Sequence, residues 1–118
     1  MRYNTRMLEI SYDDFAKLDI RIGTVVAAEM IPETDKLIKC TVDFGPPDGG
    51  GTRTIVSGIA QSKKPEELVG KQFPYVINLA PRSLRGVESQ GMLLAASDAD
   101  GVALLYAERS VPNGTKLR

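Results

Sequence analysis

The sequence predicts an all-β fold, a small five-stranded Greek-key barrel with a short N-terminal helix and a second short helix between strands. Three observations carry that prediction. Apolar and polar residues alternate in five or more short runs. The first run contains Gly23, where a long strand can bend and serve two sheets. A proline-started helical segment separates the third run from the fourth. The 118 residues are one domain's worth of chain and can bury a real core without staples. The expected division is an arm over 1–10 and one domain over 11–118.

Residues 1–10 have no clear period. Ser11 begins a helix expected over 11–18: it can cap the backbone, Asp13 and Asp14 favour the positive end of the dipole, and Tyr12, Phe15 and Leu18 recur at helical spacing. From Ile20 the period becomes two, and a long strand runs to Ile31, ended by Pro32. In the second strand Ile38, Cys40, Val42 and Phe44 alternate with Lys39, Thr41 and Asp43. Cys40 thus falls on the buried face and reads as a small core residue, not a nucleophile. Residues 45–51 are Gly- and Pro-rich and form a hairpin loop. Arg53 to Ser57 is the third strand. A short helix is expected over 65–69 with Gly70 as its stop. Phe73 to Leu79 is the fourth strand, with Pro74 at an edge or entry position. Residues 81–90 read as polar, basic and irregular. Met92 to Ala96 and Val102 to Tyr106 are the last strand pair, joined by a turn over 97–101, and residues 111–114 form a final turn. This order of elements is the OB-fold pattern, a scaffold that commonly binds oligonucleotides and oligosaccharides.

The composition excludes several chemistries. With no His there is no His base, His ligand or Ser-His-Asp triad, and with one Cys there is no internal disulfide and no Cys-cluster zinc site. No glycine pattern matches a P-loop or a dinucleotide fingerprint. No catalytic residue, metal site or cofactor is expected, and the chain is read as a non-enzyme. It has no apolar run long enough to span a bilayer and no signal-peptide pattern, so a cytoplasmic location away from membranes is expected. The net charge is zero but unevenly spread. Residues 1–35 carry four basic and seven acidic side chains, residues 36–85 eight and four, and residues 86–118 three and four. Segregation of this kind can build a local positive field on a neutral molecule; the alternative is that these lysines are simply solvated surface.

The run from Asp14 to Gly23, Asp-Phe-Ala-Lys-Leu-Asp-Ile-Arg-Ile-Gly, resembles the opening of the tRNA-binding domain family. Its members include the C-terminal domain of many methionyl-tRNA synthetases and freestanding tRNA-binding proteins. Asp35-Lys-Leu37, Val42-Asp-Phe-Gly45, Val56-Ser-Gly-Ile59, Pro65-Glu-Glu-Leu-Val-Gly70, Asn78-Leu-Ala-Pro-Arg82, Leu84-Arg-Gly86 and Ser89-Gln-Gly-Met92 match in order. The resemblance covers about residues 10–118. Each motif is weak alone; their order is specific. It implies an OB-fold barrel that binds folded tRNA with little preference among tRNAs, often as a homodimer, in support of a methionyl-tRNA synthetase. The chain departs from the family at Gln90, where Glu is usual, and at Ser83, where Lys is frequent.

On this reading Lys36, Lys39, Arg53, Arg82 and Arg85 are candidate phosphate contacts, because cations supply most nucleic-acid affinity. Lys63 and Lys64 could join the rim or remain neutral surface. Ser57, Asn78, Ser89 and Gln90 offer hydrogen bonds that can reach a ribose 2′-hydroxyl. For Asn78 and Ser89 the alternative is a bond to local backbone. Met92 is core by periodicity, whereas the resemblance turns it toward RNA. The chain has no Trp, three Phe and four Tyr, few stacking platforms for a single strand, which favours folded RNA. Two other readings stand beside this one: a chaperone-like protein that binds unfolded polypeptides, as in a related subgroup, and an enzyme, which no residue constellation supports. For a homodimer the expected contacts are the N-terminal arm, the start of the first strand and the segment after Arg109. The initial Met and the end soon after the last motif suit a standalone protein or an excised domain equally.

Overall fold

The computed structural model describes residues 8–118; most of the expected N-terminal arm and its proposed dimer contact lie outside them. Helix α1 (Tyr12–Ala16) starts where Ser11 accepts a hydrogen bond from the Asp14 N–H at 3.0 Å, with Asp13 and Asp14 in the first turn. It is shorter than the expected 11–18 because Asn78 catches the chain as it leaves the helix. Its Nδ2 donates to the Lys17 carbonyl at 2.6 Å and its Oδ1 accepts from the Asp19 N–H at 2.8 Å.

Strands β1 (Ile20–Met30), β2 (Ile38–Asp43), β3 (Thr52–Ser57), β4 (Gln72–Val76) and β7 (Met92–Leu93) make one antiparallel sheet in the order β3-β2-β1-β4-β7. The long strand β1 serves two neighbours, as its length suggested: Ile20 to Thr24 pair with β4, and Thr24 to Met30 pair with β2. The bulge lies between Val25 and Ala27, however, and not at Gly23. Gly23 is required for close approach, since a Cβ there would lie 2.6 Å from Phe44 Cε1 and from Val42 Cγ1. The outer edge of β1 at its start, expected to meet a second copy, is occupied by the chain's own C-terminal segment. Ile22 N–H donates to Thr115 O at 2.9 Å, and Gly114 and Leu117 donate to Ile22 O and Ile20 O at 2.7 and 2.8 Å.

Pro74 sits within β4, opposite Ile22, instead of at an edge. Ile22 spends its backbone bonds on the C-terminal segment, so this is a pair without ladder bonds and the missing proline N–H costs nothing there. The sheet curls so that β3 approaches β7, and the seam is closed largely by side chains. Gln90 N–H donates to Thr54 O at 2.8 Å, Thr54 N–H donates to Gln90 Oε1 at 3.0 Å, and Val56 N–H donates to Ser89 Oγ at 2.9 Å. The result is a nearly closed OB-like barrel, the predicted fold. Inside it Val25, Ile38, Val42, Phe44 and Ile55 are fully buried, and Tyr75 meets Phe44 edge-on at 5.4 Å. Cys40 lies among them as expected, and burial pushes its thiol up to about 11.

Two further expectations are corrected. The helix expected over 65–69 is a single 3₁₀ turn, Pro65–Glu67; Leu68 drops into the core and the Gly70 N–H ties to Val25 O at 2.7 Å, which leaves no room for a second turn. The segment 81–90 is not irregular. It forms a hairpin of β5 (Arg82–Leu84) and β6 (Val87–Ser89). Its two-residue turn, Arg85-Gly86, has φ of 52° and 81°, the type I′ geometry. Asn-Gly or Gly-Gly would have announced that turn; Arg-Gly did not. The last strands are β8 (Ala95–Asp98) and β9 (Gly101–Leu104), a separate hairpin, with the chain turned off β7 where Leu94 N–H donates to Pro74 O at 3.0 Å.

Candidate nucleic-acid interface

The candidate site residues fall into two groups. Arg82 and Arg85 stand on the β5–β6 hairpin, exposed, and among the described residues neither guanidinium has an ion-pair or hydrogen-bond partner. Arg85 is presented by a backbone conformation that non-glycine residues seldom adopt, and such strain of about 1–3 kcal/mol concentrates at functional positions. Lys36 is exposed in the loop before β2, next to Leu37. Lys39 is half-buried on the outer face of β2 and lies 3.7 Å from Glu29 Oε1, a surface pair of little strength.

The second group is engaged by the fold. Arg53 Nε donates to Gly50 O at 3.1 Å, and its Nη1 donates to Gln90 O at 3.1 Å and to Ile77 O. A guanidinium with three carbonyls on it clamps the end of the barrel. Ser89 is buried and bonds Val56 N–H and Gly91 O; Gln90 bonds Thr54; Asn78 bonds Lys17 and Asp19. Asn78 and Ser89 thus bond backbone, but chiefly backbone distant in sequence, at Lys17, Asp19 and Val56. At Gln90 an amide oxygen accepts from Thr54, a role a Glu carboxylate could also fill, so the departure from the family pattern leaves the seam intact.

Ser57 and Met92 belong to neither group. Both line a cleft of about 450 Å³ between the segment following β3, the β5–β6 hairpin, β7 and the β8–β9 hairpin. Met92 is 45% exposed, so it is not the core residue its period implied. Ser57 is 9% exposed, and its hydroxyl, with no hydrogen-bond partner among the described residues, is left open to solvent at the cleft. Apolar walls come from Leu37, Ile59, Leu84 and Val102, and Arg82 lies at the same cleft. Sequence reasoning did not find these walls. Leu84 was hidden in a segment taken as irregular, and Leu37 and Val102 carry no signal that separates a cleft wall from a core position.

Among the described residues no three of Asp, Glu and Cys stand together to hold a metal ion, and no helix is long and apolar enough to cross a membrane.

The family model described as "Putative tRNA binding domain" matches residues 20–116. The methionine–tRNA ligase of Bacteroides fragilis is 51% identical over 110 residues, which are 92% of this chain and 16% of that ligase; the chain thus spans a small fraction of the curated relatives' length. The crystal structure of a MetRS-related protein from Pyrococcus horikoshii superposes with a TM-score of 0.87 at 46% identity, covering 95% of this chain and all of that one. The chaperone CsaA of Bacillus anthracis superposes with a TM-score of 0.83 at 34% identity, covering 94% of this chain and all of its own.

Proposed function

Because the chain belongs to the tRNA-binding domain family, we propose that it is a non-catalytic module that binds folded tRNA with little sequence preference. The observation that carries this reading is the pair of exposed arginines on the β5–β6 hairpin, unpartnered among the described residues. Arg82, Arg85 and Lys36 contact phosphates, with Lys39 contributing less because Glu29 shares it. Arg53, Asn78, Ser89 and Gln90 act indirectly, by holding the barrel end and the hairpin in place. A weak general binder serves a catalyst by raising local tRNA concentration, so the partner of this module is a methionyl-tRNA synthetase, in the cytoplasm. It acts as a homodimer, which presents two such hairpins to one RNA. Light scattering at micromolar concentration should give twice the chain's mass, and a one-chain mass would refute the dimer.

The likeness to CsaA supports one competing reading, capture of unfolded polypeptide. A tRNA titration at two salt concentrations decides. Binding that weakens steeply with salt supports the module; absence of binding at low salt brings the polypeptide reading forward.

A further inference from the structure

The cleft beside the hairpin has three properties that arginine–phosphate contacts leave unused. Its walls are apolar, formed by Leu37, Ile59, Leu84 and Val102, and no Asp or Glu lines it. Ser57, nine-tenths buried, brings to it a hydroxyl with no partner among the described residues. That oxygen keeps contact with solvent at the cleft, since no side-chain oxygen among the described residues is both buried and unpartnered, so it is open to bond a ligand in place of water. Arg82 is exposed at the same cleft with its guanidinium unpartnered among the described residues, so the one charge they place there is positive.

We infer that this cleft seats a single unstacked nucleoside of the bound RNA. The inference rests on the tRNA-binding reading and adds an occupant to it. The base lies against the aliphatic walls and the Met92 thioether, the Ser57 hydroxyl bonds its polar edge, and Arg82 holds the attached phosphate. A base inside an A-form stack cannot enter, so the cleft selects a loop, bulge or end. An apolar peptide side chain would satisfy the walls but neither the hydroxyl nor the arginine. That charge and hydrogen-bond complementarity is why a nucleotide is the occupant argued here.

The test uses the whole chain, AMP as the probe and tRNA as the ligand. AMP titrated into isotope-labelled protein should shift the amide signals of Ser57, Gly58, Leu93 and Val102. Ala95 is exposed at the cleft, so Ala95→Phe fills it without disturbing the core. This variant should keep its thermal midpoint, lose the AMP shifts and bind tRNA about tenfold more weakly. Its salt dependence should fall by no more than the one Arg82 contact, because Arg85 and Lys36 keep theirs. Ser57→Ala should weaken tRNA binding about threefold to tenfold. If AMP leaves those amides unmoved and Ala95→Phe binds tRNA like the parent, the cleft assignment is overturned while salt-dependent tRNA binding stands. If a short apolar peptide moves the signals and AMP does not, the cleft takes polypeptide and the assignment is equally overturned. Failure of the parent protein to bind tRNA at low salt would instead remove the reading on which the inference rests.

Discussion

Replacing Ser89 by Ala should damage the barrel and spare the RNA. The hydroxyl is buried, accepts from Val56 N–H at 2.9 Å and donates to Gly91 O at 3.3 Å. Val56 lies in β3, the first strand of the sheet order, and its N–H is taken by the Ser89 hydroxyl and not by a neighbouring strand. Leaving a buried N–H unpaired costs about 1–3 kcal/mol. Removing the hydroxyl also removes its own desolvation, which places the expected loss near the middle of that range, about 2 kcal/mol. For a chain of this length each kcal/mol moves the thermal midpoint by about 3–5 °C, so the variant should melt roughly 6–10 °C below the parent. tRNA affinity measured well below either midpoint should not change. An unaltered midpoint together with weaker tRNA binding would instead make Ser89 a direct contact.

Gly23→Ala puts a methyl 2.6 Å from two fully buried side chains and should cost about 1–3 kcal/mol in denaturant unfolding. Arg85→Asn suits the left-handed turn better, so it should raise the thermal midpoint slightly while lowering the salt dependence of tRNA binding by about one phosphate contact. Cys40 gives a pH prediction. Its thiol, at 9.0 when unperturbed, rises to about 11 when buried, so above pH 9 the unfolded chain loses the proton first. Stability should be present below pH 9 and fall as pH rises toward 11. Cys40→Ala should show a shallower alkaline loss, measured by urea unfolding at pH 8 and pH 10.5.

The architecture was legible because local patterns agree with the fold. The alternation at Ile38, Cys40, Val42 and Phe44 and the Ser11 cap needed no tertiary knowledge. What escaped depends on contacts made far along the chain. Gly23 looked like a bend because nothing local reveals Phe44 above it. The structural bonds of Arg53, Ser89 and Gln90 could not be read locally, because their partners, the carbonyl of Ile77 and the amides of Thr54 and Val56, come near only once the barrel closes. Arg82 and Arg85 were legible as free cations, but the hairpin that presents them was concealed by an arginine in a turn position that favours Asn or Gly.

If the hairpin arginines bind tRNA phosphates, tRNA affinity followed across salt concentrations must separate the parent from Arg82→Ala/Arg85→Ala. The parent's affinity should fall steeply with salt, and the double variant should bind more weakly at low salt with a slope reduced by about two contacts. A parent that binds no tRNA at low salt, or a variant with the parent's affinity and slope, would contradict that role for the arginines.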